Sequence, residues 1–110
     1  MTVTPPLDMV QMRAGAGAAT AVLAALANEN RLLLLCQLSQ GEQSVGELEG
    51  RLDLHQPTLS QQLGVLRSEG LVATRRDGKR IYYSIADARV LALLNALHAL
   101  YCPQAGCAAS

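Results

Sequence analysis

The stretch Leu54–Ile85, read LHQPTLSQQLGVLRSEGLVATRRDGKRIYYSI, constrains the fold most, because its apolar spacing passes from that of a helix to that of strands. Leu59, Leu63 and Leu66 recur at i, i+4 and i+7, which lines one face of a helix from about Gln56 to Glu69. Pro57 falls in its first turn, where a missing N–H costs little, and Gly70 ends it. Pro57, Gln61, Gly64 and Ser68 lie opposite the leucines, with Thr58, Ser60 and Val65 flanking. Leu71–Arg76 and Lys79–Ile85 then read as two strands about Asp77-Gly78, a dipeptide suited to the tight turn of a hairpin. Ile81, Tyr83 and Ile85 alternate onto one face of the second strand, and Arg80, Tyr82 and Ser84 onto the other.

The flanking segments complete a domain. Ser44-Val45-Gly46-Glu47 has the spacing of a capping box and opens a short helix to about Leu52. Asp53-Leu54-His55 makes the turn into the next helix. Upstream, Arg31–Gln40 carries Leu32-Leu33-Leu34-Leu35-Cys36, apolar all round and so suited to the centre of a core, and Gly41 can cap its end. Asn28-Glu29-Asn30 separates it from an apolar helix over Ala18–Leu26, and residues 1–15, with Pro5, Pro6 and Gly15, read as a loose N-terminal arm. Asp87 caps a last helix from Ala88 to about Tyr101, and residues 103–110 form a flexible tail after Pro103. The result is a single domain over 1–110, mainly α with a small β-hairpin: four helices, two strands and a fifth helix, the order of a winged helix-turn-helix. Ala18–Leu26 and Val90–Leu100 are apolar on more faces than one small core covers, which predicts a homodimer.

Charge narrows the function. Lys and Arg together number 9, as do Asp and Glu, so a formal net charge of zero argues against nonspecific coating of nucleic acid. The cations are nevertheless concentrated. Arg67, Arg75, Arg76, Lys79 and Arg80 lie close together, opposed within that segment only by Glu69 and Asp77. A helix laid across its predecessor can enter a major groove. There Gln56, Thr58, Ser60 and Gln61 would meet base edges, with Gln62 nearer the packing face, and the cationic side chains would hold phosphates or reach the minor groove. The expected partner is double-stranded operator DNA. No basic-then-apolar leader and no apolar run near the roughly 20 residues of a membrane span are read here, so the chain is expected in the bacterial cytoplasm, at the nucleoid, without a membrane partner.

The same stretch resembles the reading helix and wing of the ArsR–SmtB family of bacterial repressors. The resemblance runs from about Ala18 to Tyr101 and rests on Gln56-Pro57-Thr58-Leu59-Ser60-Gln61-Gln62-Leu63, Glu69-Gly70-Leu71-Val72 and Arg80-Ile81-Tyr82-Tyr83-Ser84-Ile85. It implies a homodimer that occupies an operator until an inducer binds. His55 departs from the usual Ser at the N-cap, which costs about 1 kcal/mol, and Gln62 stands where many relatives carry His. Within the family, Cys36 and Cys102, with the ending Leu100-Tyr101-Cys102, are similar to the two cysteines of the persulfide- and sulfide-responsive BigR–SqrR branch. That likeness implies a reactive sulfur species, a persulfide or polysulfide, as inducer. It would link Cys36 to Cys102 within one subunit by a disulfide or polysulfide bridge and release the DNA.

Three other readings stand beside this one. Cys36, Cys102 and Cys107 could bind arsenite or Cu(I) as thiolates. The helix Val45–Leu52 holds no Cys or His, however, and His98 stands alone on the last helix as a surface or interface residue, so no metal site is assigned. A winged-helix module that dimerises without touching DNA would suit the neutral charge. A thiol enzyme such as a sulfurtransferase would need a partnered catalytic cysteine, and Cys36 lies in an apolar helix with no triad or phosphate loop nearby in sequence. No catalytic residue and no cofactor are therefore expected.

Overall fold

Leu34, Leu35, Leu48, Leu59, Leu63, Leu66 and Val90 are the largest fully buried side chains, and the elements are arranged to bring them together. The structure, a computed structural model, describes residues 6–102. The expected tail at 103–110, Cys107 included, lies outside the described residues, as do residues 1–5. The order is α1 (Met9–Leu26), α2 (Glu29–Leu38), β1 (Gln43–Ser44), α3 (Val45–Leu52), α4 (Gln56–Ser68), β2 (Val72–Asp77), β3 (Arg80–Ile85) and α5 (Ala88–Tyr101). The fold is a winged helix-turn-helix, five helices with a three-stranded antiparallel sheet in the order β1-β3-β2.

Local chemistry sets the boundaries. The Asp8 carboxylate accepts from the N–H groups of Val10 and Gln11 and starts α1, and the Asn28 side chain accepts from Arg31 N–H and starts α2. Ser44 and Glu47 form the reciprocal capping box of α3. Asp87 accepts from Arg89 N–H at the start of α5. Each fully buried Leu stabilises the fold by roughly 1.5–3 kcal/mol. The central position of α2 follows from its Leu34, Leu35 and Leu38, all buried.

Three expectations are corrected. α1 begins at Met9, so the stretch 9–15 is helical rather than a loose arm; the Asp8 cap and the surrounding Ala residues outweigh Gly15 and Gly17. That extension also makes α1 long and apolar enough, by length and composition, to cross a membrane, where the sequence reading found no such run. Its last turns instead join the core through Val22, Ala25 and Leu26. The strand β1 was not foreseen. It pairs Gln43 with Tyr83 and Ser44 with Tyr82, and two residues carry no readable period. The hairpin loop is Gly78-Lys79, one position beyond Asp77-Gly78, with Asp77 facing Arg80 across the strands. Gly78 at φ +65° takes the first central position, as a type II′ turn requires.

Candidate nucleic-acid interface and thiol site

The turn before the reading helix is tight because Asp53 adopts a left-handed conformation at φ 54°, ψ 42° and ends α3. His55 then occupies the N-cap of α4 and makes no side-chain cap hydrogen bond. Leu59, Leu63 and Leu66 are buried and fix which side of α4 faces out. Gln56, Ser60 and Gln61 are exposed and Thr58 is half-buried, so this group stands on the outer side as expected. The first two are already linked: Gln56 Nε2 donates to Glu49 Oε1 at 3.2 Å, and Ser60 Oγ to Gln56 Oε1 at 3.4 Å. Gln62 is different. It is half-buried, and its Oε1 accepts from Arg31 Nη1 at 2.9 Å. Its carbonyl is engaged by Arg31, whereas Gln56, Ser60 and Gln61 remain on the exposed face.

The wing divides the cations. Cross-strand partners put Arg76 beside Ile81 and Arg75 beside Tyr82, on opposite faces of the sheet. Arg75 stacks over Tyr82, 4.8 Å from the ring centroid. It also grips Glu42 in a fork, Nε to Oε2 at 3.0 Å and Nη2 to Oε1 at 2.8 Å. This pairing holds the Glu42 carboxyl below the usual carboxylate range. Glu42 lies far from Arg75 in sequence, so the neutralising partner was not anticipated. The pair is exposed and therefore weak, and a phosphate can compete for the arginine. Among the described residues Arg67, Arg76, Lys79 and Arg80 join no ion pair, and all four are exposed.

The thiols meet elsewhere. Cys36, on α2, is half-buried against the core, and Cys102 is exposed at the C-cap of α5, where its N–H donates to His98 O at 2.8 Å. Both thiols are free. Together they line one cavity of about 280 Å³ whose other walls are Leu32, Leu33, Leu94, Leu97, His98 and Tyr101. Burial pushes the Cys36 thiol up, and the neighbouring Cys102 adds repulsion between the two thiolates. His98 is exposed, as expected of a surface residue, and it also lines this cavity beside the two thiols, which was not foreseen. Among the described residues no group of three or more His, Cys, Asp or Glu side chains is arranged to hold a metal ion.

Apolar side chains remain on the surface of the outer helices. Val10, Met12 and Leu23 of α1 and Leu91, Leu100 and Tyr101 of α5 are exposed, Val10 and Tyr101 by more than three-quarters.

Comparison with known proteins agrees with this architecture. Residues 28–74 match the family described as bacterial regulatory protein, arsR family. A biofilm growth-associated repressor of Agrobacterium fabrum is 52% identical over 97 residues, 88% of this chain and 81% of the relative. The crystal structure of the transcriptional repressor BigR from Xylella fastidiosa superposes with a TM-score of 0.85 at 45% identity, covering 87% of this chain and 98% of that one. A solution structure from Mycobacterium bovis, described as a homodimeric winged helix-turn-helix DNA-binding domain, gives a TM-score of 0.71 at 34% identity and covers 89% of each chain.

Proposed function

The chain belongs to the arsR family of bacterial regulatory proteins, as a transcriptional repressor and not an enzyme, and from that premise we propose that its hold on DNA is governed by Cys36 and Cys102. The reduced protein, a homodimer in the cytoplasm, occupies an operator with α4 in the major groove and the wing on the backbone. A persulfide or polysulfide then bridges the two thiols within one subunit and the DNA is released. The observation that carries this reading is the shared apolar cavity between α2 and α5, which Cys36 and Cys102 both line.

The chemistry suits the two environments. Cys102 is exposed and meets the inducer first, while Cys36 is half-buried with its thiol held protonated to higher pH. With an organic tetrasulfide, the Cys102 thiolate attacks an inner sulfur, forms a new S–S bond and expels a persulfide anion. The Cys36 thiolate then attacks the sulfur now bonded to Cys102 and expels a thiolate. The products are a Cys36–S–Cys102 trisulfide, one persulfide and one thiol; the two cysteines lose two electrons and the tetrasulfide gains them. A direct disulfide needs Cα atoms within about 7 Å, and a longer sulfur chain tolerates a wider gap.

Release follows from where the bridge lies. It would tie α5 to α2, and the exposed apolar faces of α1 and α5 support a two-fold interface made by those helices. A shift in that interface alters the spacing between the two copies of α4, which must sit about 34 Å apart to meet successive major grooves. A hundredfold weakening takes only about 2.7 kcal/mol.

The test is a binding titration on the promoter duplex beside the protein's own gene. Reduced protein, polysulfide-treated protein and arsenite- or Cu(I)-loaded protein are compared, with Cys36→Ser and Cys102→Ser alongside. The expected result is binding by all reduced forms, release of the wild type by polysulfide, and resistance of both Ser variants. Release by metal alone would replace the sulfur reading with a metalloid one, and failure of every reduced form to bind would favour a DNA-independent dimerisation module.

A further inference from the structure

Arg31 reaches farther than its own helix. From the first turn of α2 its Nε donates to Ala25 O at 2.7 Å and its Nη2 to Ala24 O at 3.4 Å. These carbonyls belong to the last turn of α1, which carries no basic side chain of its own; Ala24 O also accepts from the Ala27 N–H at 3.3 Å. The remaining arm, Nη1, donates to Gln62 Oε1 at 2.9 Å on α4. Beside this bridge an open groove of about 380 Å³ lies between α1 and α4, walled by Ala21, Ala24 and Ala25 on one side and Val65 and Glu69 on the other. The end of α1 is thus joined to the reading helix by a planar, rigid fork of donors, beside the apolar core that Val22, Ala25 and Leu26 share with Leu59, Leu63 and Leu66.

We propose that Arg31 is a positioning residue for DNA reading: by clamping Gln62 to the C-terminal carbonyls of α1, it sets the pose in which α4 presents Gln56, Ser60 and Gln61. Gln62 is thereby the anchor of the helix and not one of its base contacts. This inference rests on the DNA-binding reading and is independent of the thiols. Loosening the clamp lets α4 roll toward or away from the groove. Base-edge contacts depend steeply on that angle, whereas contacts between the wing and phosphates do not. The clamp therefore acts on discrimination between sequences.

The test measures reduced Gln62→Met, Arg31→Met, Arg31→Lys and the double Met variant on two probes: the promoter duplex and a random duplex of equal length. Thermal unfolding is recorded for each. Gln62→Met removes the tie to α4 and leaves Arg31 free to keep its bonds to α1. Each Met variant is expected to lose on the order of tenfold in promoter affinity with random-duplex affinity unchanged, and the double variant to be no worse than Arg31→Met, because both remove one link. Arg31→Lys keeps the charge without the fork and is expected to behave like Arg31→Met. The inference is overturned if the two losses multiply, if both probes weaken equally, or if Arg31→Lys matches the wild type. It is also overturned if promoter affinity merely follows the melting temperature. A wild type that binds both duplexes alike overturns the DNA reading and this inference together; a selective wild type with a failed cycle overturns this inference alone.

Discussion

At the scale of single residues, Cys36 and Cys102 show how one fold gives two thiols different chemistry. Burial favours the neutral form of Cys36, so at any given pH a smaller fraction of it is thiolate than in an open thiol. Alkylation follows the thiolate. Iodoacetamide labelling read by peptide mass spectrometry is therefore expected to modify Cys102 first at neutral pH. Cys36 should lag, and its rate should still be climbing at a pH where an exposed cysteine has levelled off. Equal rates at pH 7 would contradict the burial argument. The cysteine pair was legible in the sequence through family resemblance, since both positions and the Leu100-Tyr101-Cys102 ending stand in the chain. Glu42 beneath Arg75 and Arg31 beneath Gln62 were not legible, because each contact joins residues more than 30 positions apart and no local pattern encodes it.

At the scale of elements, the legible ones were those with a strong local period or cap. α4 was readable from Leu59, Leu63 and Leu66, α3 from its capping box, and α5 from Asp87. The start of α1 was misplaced because Gly15 and Gly17 look like a break in isolation, although the Asp8 cap carries the helix past them. β1 exists only through pairing with β3, a partner distant in sequence. The weak point of the reading helix is its N-terminus, where His55 supplies no side-chain acceptor for the free N–H groups of the first turn. His55→Ser is expected to raise stability by about 1 kcal/mol in urea unfolding. An unchanged midpoint would mean that solvent satisfies those N–H groups as well as a hydroxyl does.

At the scale of the whole molecule, a chain of zero net charge binds DNA by distribution and not by sum: Arg67, Arg76, Lys79 and Arg80, which join no ion pair among the described residues, lie on α4 and the wing, where Glu42 pairs with Arg75. In the proposed homodimer the exposed apolar faces of α1 and α5 would meet a second copy. The thiol cavity lies between α2 and α5, and so between the core and that surface. In the proposed switch, joining its two walls would give a sulfur oxidant leverage on the spacing of the reading helices. The decisive measurement is a mass-spectrometric map of wild-type protein treated with polysulfide under non-reducing conditions. A Cys36 peptide and a Cys102 peptide joined by two or more sulfurs, in protein that still runs at monomer mass once denatured, is the predicted result. Peptides joined between chains, or Cys102 joined to Cys107 with Cys36 left free, would contradict it.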